Sequence, residues 1–176
     1  MLFKETKLKG AFLIVPEKLR DERGFFARSF CKNEFKERGL DPEIVQSSIS
    51  YNRQRHTLRG MHYQLPPGAE TKVVRCTRGS IYDVMIDLRK GSRTYCKWAS
   101  YELTAKNYLM LYIPEGIAHG FITLENDTDV LYQMSEYHAP KLARGVRWND
   151  PAFGVRWPAE KPIMSGKDQN YEDYTP

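Results

Sequence analysis

Arg59-Gly60-Met61-His62-Tyr63-Gln64 is the stretch on which the reading of this chain turns. It gathers a guanidinium, a glycine, an imidazole, a phenol and an amide. Its surroundings, Thr57 to Leu65 and then Thr71 to Thr77, are rich in β-formers. On an extended chain, an arginine and a histidine three apart point to opposite faces unless the backbone bends, and Gly60 sits between them to permit a bend. The stretch can therefore bring an anion-binding group and a proton-transfer group to one pocket. It can equally be ordinary barrel interior, and the rest of the chain has to separate the two.

Outward from it, short apolar runs recur at even spacing. Upstream lie Ala11–Pro16, Phe25–Phe30 and Ile44–Tyr51, and in the last of these Val45, Ser47 and Ile49 alternate with Gln46, Ser48 and Ser50. Downstream lie Lys72–Thr77, Ser80–Leu88, Tyr95–Leu103, Leu109–Ile113, His119–Leu124 and Val130–Tyr137. Turn signals such as Arg78-Gly79, Lys90-Gly91-Ser92 and Pro114-Glu115-Gly116 divide them. One short helix is expected over Asn33–Arg38, capped by Asn33 and ended by Gly39. Many short strands with little helix between them predict an all-β antiparallel sandwich or barrel. From Gly145 the chain reads as a coil wrapped on that barrel, anchored by Trp148 and Trp157.

Composition bounds the function. A chain of 176 residues, 41% hydrophobic and 12% aromatic, is expected to form a single folded domain over 1–176. The net charge of +5 is scattered, with no basic stripe, so no nucleic-acid partner is expected and a small anion such as a diphosphate fits better. Three cysteines, Cys31, Cys76 and Cys96, form no CxxC pair and read as free thiols. The N-terminus lacks a signal-peptide core and the Ala11–Val15 run is too short to span a bilayer, so no membrane partner is expected and the cytoplasm is the expected location.

Four histidines are present: His56, His62, His119 and His138. His119 ends Pro114-Glu115-Gly116-Ile117-Ala118-His119, a PxGxxH spacing that resembles the second motif of the cupin superfamily of small jelly rolls. Many cupins add an HxH pair and a glutamate to bind metal. Here the first motif reads His62-Tyr63-Gln64, without the second histidine, and Glu70 is the sole nearby carboxylate, beyond a loop with two prolines. That set is short of a matched ligand group, so no metal site is expected.

Six ordered segments carry a closer resemblance. They are Leu58–Gln64, Lys72–Cys76, Tyr82–Arg89, Ile113–Phe121, Trp148-Asn149-Asp150-Pro151 and Ser165-Gly166-Lys167-Asp168. Together they resemble the dTDP-4-dehydrorhamnose 3,5-epimerase family of nucleotide-sugar epimerases, from about Leu8 to Asp168. The resemblance implies a cupin-like jelly roll (double-stranded β-helix) with short helices and a C-terminal tail packed on the barrel. It also implies a homodimer with strand exchange, a nucleotide-diphosphate sugar as substrate, and no cofactor. The implied chemistry is proton exchange beside a ketone in a 4-keto-6-deoxyhexose. His62 would be the base, Asp168 its orienting partner, Tyr132 the acid, and Lys72 the charge beside the keto oxygen. Substrate contacts would fall to Arg23, Phe26, Arg28, Gln46, Ser48, Arg59, His119 and Lys167.

Taken singly, each of these residues also has a structural reading. A strand histidine is commonly a hydrogen-bonded core residue, and a barrel tyrosine commonly packs the wall. Lys72 can be an edge-strand gatekeeper, Asp168 solvated tail, and Arg23 and Arg59 plain surface charge. Asp83 and Asp87 read as structural, and His56 and His138 as surface. Two departures bear on the nucleotide. Arg28 stands where the family often has glutamate, and Gln46-Ser47-Ser48 where Gln-Asp-Asn is common, which leaves thymine, cytosine or guanine open. Three rivals to epimerisation also stay open: a ketoisomerase of the same fold, a sugar-binding module, and a metal-dependent oxygenase.

Overall fold

Alternating side chains pin two antiparallel sheets against each other in the computed structural model, which describes residues 1–176. Strands β1 (Leu2–Glu5), β2 (Phe12–Val15), β5 (Gln46–Asn52), β7 (Lys72–Arg78), β10 (Met110–Ile113) and β12 (Thr128–Met134) form one sheet, in the order β1-β2-β10-β7-β12-β5. Strands β6 (Leu58–Gln64), β8 (Ser80–Asp87), β9 (Trp98–Thr104), β11 (Ile117–Thr123) and β13 (Ala143–Gly145) form the other, in the order β13-β6-β11-β8-β9. A small hairpin of β3 (Leu19–Asp21) and β4 (Gly24–Phe26) stands apart from both sheets. This is the expected jelly roll.

The period-two pattern explains the three layers of core. Val74, Cys76 and Leu111 of the first sheet meet Ile81, Met85, Leu103 and Phe121 of the second between the sheets. Their neighbours point outward. Val73, Met110 and Tyr112 pack under Phe35 of the short helix α1 (Lys32–Lys36). Val84 and Ile86 pack under the tail, with Val146, Phe153 and Trp157. The tail is held as expected: Trp157 Nε1 donates to the Trp148 carbonyl at 2.7 Å, and the Trp157 ring lies 6.2 Å from Tyr82.

Several boundaries differ from the sequence reading, for physical reasons. The helix begins at Lys32 with Cys31 in the capping position and no side-chain cap, while Gly39 takes φ +68° just after it, as expected. The strand expected over Phe25–Phe30 stops at Phe26, because the segment forms a hairpin instead of joining a sheet. Residues 92–97 turn before β9 begins. Ser92 and Thr94 hydroxyls each donate to buried Asp87 at 2.6 Å, beside the Arg89 guanidinium at 2.8 Å. Burial would raise the Asp87 carboxyl, but these donors overcome it and hold it at about 2. The tail, read as coil, contains a one-turn helix, α2 (Gly166–Gln169), whose Ser165 cap accepts the Asp168 N–H. No helix is long and apolar enough to cross a membrane.

Candidate active site

A bulge builds the pocket floor. His62 pairs with His119 of β11, and Arg59 with Phe121, so β6 spends three steps where β11 spends two. The extra residue places Arg59 and His62 on one face, which the sequence required of Gly60. Gly60 takes φ +130°, and a Cβ there would sit 2.5 Å from the Gly120 Cα. Only glycine allows the two strands to approach so closely.

Both residues line a cavity of about 620 Å³ at the mouth of the barrel. His62 Nε2 lies 2.7 Å from Asp168 Oδ1, and the carboxylate also accepts the Gly60 N–H at 3.4 Å. Asp168 is buried, carried there by α2 folding back from the far end of the chain. Burial works to raise its pKa, but the His62 contact, the Gly60 N–H and Ser165 more than offset it. The net shift is downward, and Asp168 stays ionised. With Nε2 engaged by a carboxylate, His62 carries its hydrogen there and keeps the Nδ1 lone pair free to take a proton.

A second imidazole–carboxylate pair lies deeper. His119 Nε2 meets Asp83 Oδ2 at 2.8 Å, with both side chains buried. Burial raises the Asp83 carboxyl, with the His119 charge and hydrogen bond and the Lys72 charge opposing. The Tyr132 ring lies 5.8 Å from His119 and 6.4 Å from Phe121. Burial, then the Asp83 charge, pushes the Tyr132 phenol well above its usual value, against a smaller pull from Arg59. Lys72 is ion-paired with Glu70 at 2.9 Å. Glu70 is thus engaged with a cation, and no three histidine, cysteine or carboxylate side chains converge as a ligand set.

The four residues predicted for proton transfer, His62, Tyr132, Asp168 and Lys72, all line this one cavity, as do Gln46, Ser48, Arg59, His119 and Lys167. Arg59 is held by Asn52 Oδ1 at 2.8 Å and the Tyr51 carbonyl at 3.3 Å. Arg23, Phe26 and Arg28 are not brought to the pocket within this chain. Arg23 sits on the β3–β4 hairpin, exposed and paired with Asp21 at 2.6 Å, and Arg28 pairs with Glu34 at 2.9 Å. Phe26 is 72% exposed. The sequence reading gives Asp83 as structural and His138 as surface and leaves Arg144 aside, yet His138 and Arg144 both line the cavity. Asp83 has a signal: it shares the inward register of Ile81 and Met85, where a carboxylate needs a partner.

A jelly roll whose pocket is lined by an imidazole of one sheet, backed by a carboxylate from α2, and by a phenol of the other sheet defines a protein of acid–base chemistry within the cupin-like class. Similarity to known proteins refines that class. A family model described as dTDP-4-dehydrorhamnose 3,5-epimerase matches residues 5–175, and the chain belongs to that family. It is 41% identical over 171 residues to a dTDP-4-dehydrorhamnose 3,5-epimerase of Sinorhizobium fredii, covering 97% of this chain and 88% of the relative. The crystal structure of dTDP-4-dehydrorhamnose 3,5-epimerase from Bacillus anthracis, with TDP and PPi bound, superposes with a TM-score of 0.94. That match has 39% identity and covers 98% of this chain and 99% of that one. ChmJ, a 3'-monoepimerase from Streptomyces bikiniensis in complex with dTDP-quinovose, matches with a TM-score of 0.87. Its identity is 30%, and the match covers 96% and 85% of the two chains.

Proposed function

We propose that this chain epimerises a dTDP-linked 4-keto-6-deoxyhexose at C3 and C5, in the cytoplasm, on the route to a deoxysugar. The observation that carries the reading is the opposition of His62–Asp168, on β6 and α2, to Tyr132, on β12 of the facing sheet. A hexose ring between the sheets meets a base on one face and an acid on the other. The C4 ketone acidifies the hydrogens at C3 and C5. His62 Nδ1 takes one as a proton, the C–H electron pair moves into the new C=C bond, and the carbonyl oxygen becomes an enolate beside the Lys72 ammonium. Tyr132 then delivers a proton to the carbon from the other face, the carbonyl re-forms, and both side chains exchange their protons with water. Thymine is the base favoured by the names of the relatives.

The test is wild-type protein with dTDP-4-keto-6-deoxyglucose in deuterated water, followed by NMR. Deuterium should enter C3 and C5 with inversion at both. Entry at C3 alone would make this a single-centre epimerase, a product with its ketone moved would make it a ketoisomerase, and no entry would overturn the reading.

We also propose a homodimer in which the β3–β4 hairpin supplies Arg23, Phe26 and Arg28 to the partner's pocket. Support comes from exposed Leu19 and Phe26 on the hairpin region, and from Ile49, 72% exposed on β5 at the free edge of its sheet. Arg23→Ala and His62→Ala chains, unfolded and refolded together, should regain about a quarter of the wild-type rate, because mixed dimers hold one intact site. Activity no higher than the two parents summed would sink the shared-site arrangement.

A further inference from the structure

We infer that Glu70 is the positioning residue for Lys72, and that Gln64 and Glu70 together aim one ammonium N–H of Lys72 into the pocket. Lys72 opens β7 and is almost wholly buried, with its ammonium in contact with Glu70 Oε1 at 2.9 Å and the His62 carbonyl at 3.4 Å. A lysine ammonium has three donors. Two are taken by these acceptors, and the third is left for the cavity that Lys72 lines. A long flexible stem would otherwise let the charge wander over several ångströms.

Glu70 is itself held. Its second oxygen accepts from Gln64 Nε2 at 3.0 Å. The same amide nitrogen reaches the Gly68 carbonyl at 2.8 Å and the Tyr137 carbonyl at 3.2 Å. Gln64 Oε1 accepts the Ala139 N–H at 2.7 Å. The orientation of Gln64 is therefore fixed, since flipping it would set its oxygen against carbonyls. Glu70 in turn must be an acceptor at both oxygens, because it faces the Lys72 ammonium on one side and the Gln64 amide on the other. Glutamine at position 70 puts an NH₂ against one of these donors whichever way it turns. A carboxylate is the group that fits, so Glu70 is chosen for its charge and not merely its size.

The pair also matters to the pocket's charge. Arg59, His62, His119, Asp83 and Tyr132 line or adjoin the same cavity, and Asp83 is the other carboxylate whose charge couples to Lys72. Glu70 is the carboxylate in direct contact with the ammonium, and its loss leaves Lys72 without an ion-pair partner at hydrogen-bond distance. Lys72's place at the C4 oxygen rests on the epimerase reading, whereas the Gln64–Glu70–Lys72 chain does not.

The experiment has two arms. In substrate-free wild-type protein, ¹⁵N NMR should show a slowly exchanging Lys72 ammonium with a hydrogen-bond coupling to the Glu70 carboxylate carbon. Absence of that coupling overturns the positioning claim without any variant. In the second arm, Glu70→Gln is assayed by deuterium entry and inversion. A fall in kcat of about 10- to 100-fold is expected, with KM within about twofold, a split that general loss of structure would not give. Unchanged kcat, or a fall in kcat matched by an equal change in KM, overturns the inference. If Glu70→Gln does not fold, Glu70→Met/Lys72→Met removes both buried charges at similar volume and is compared with Lys72→Met. Equal rates support the chain of contacts, and a further loss in the double variant overturns it. A wild-type protein that takes up no deuterium refutes the epimerase reading alone, and the coupling still decides the positioning.

Discussion

His62→Ala is expected to lower deuterium entry at both C3 and C5 by about 10²- to 10⁴-fold, the range a positioned general base supplies. The His62 imidazole has a free lone pair in the pocket and an orienting carboxylate behind it. Asp168 does not replace it. It is buried behind the ring, and the contacts that hold it ionised also tie it to the Gly60 N–H and the α2 cap. KM should change little, because Arg59 and Lys167 would still line the pocket. The expected pH behaviour follows from the sign of the Asp168 shift. Its folded pKa is depressed, so the stability contributed by the ionised Asp168 carboxylate is complete above the usual carboxylate value and is lost only as pH falls through the lower folded one. Asp168 therefore stays ionised through mild acid. Full retention of exchange in the alanine variant would remove His62 from the mechanism.

The legible and illegible parts of this site divide by how far apart their partners lie. Strand alternation is local, so the sheets and the inward residues around His62 can be read from windows of a few residues. The bend between Arg59 and His62 is equally readable, since a glycine inside a run of β-formers marks a bulge or a close backbone approach, and Gly60 provides both. Asp168 can be reached only through resemblance. It meets His62 across 106 positions, and its own neighbourhood, a polar tail with a one-turn helix, looks like solvated surface. Asp83 reads as structural because its partner lies 36 positions on, although its inward register among apolar residues marks it. Glu70 reads in the sequence as a candidate metal ligand, and the structure turns it toward a lysine two residues later. The hairpin carrying Arg23 and Phe26 is the reverse case. Its residue types suit a ligand, but Phe25 of the hairpin packs against Lys18 and Tyr108, and none of the hairpin lines its own chain's pocket.

Tyr132→Phe should separate the two halves of the reaction. Proton removal by His62 needs no phenol, so deuterium should still enter C3, returned to the face it left. Inversion needs delivery from the opposite face, and its rate should fall by about 10²- to 10⁴-fold. The substitution conserves ring volume, so contacts with Phe121 and His119 in the barrel wall persist and folding should be intact. The acid assignment also depends on the hydroxyl keeping its proton at neutral pH. Burial, and then the charge of Asp83, secure this by raising the phenol well above its ordinary value, with Arg59 only partly opposing. A tyrosine left as tyrosinate could not donate, so wild-type inversion should show no loss from phenol ionisation through about pH 10, where an unperturbed tyrosine is already half ionised. Undiminished inversion by the phenylalanine variant would show that another group, water or the deeper His119–Asp83 pair, supplies the proton.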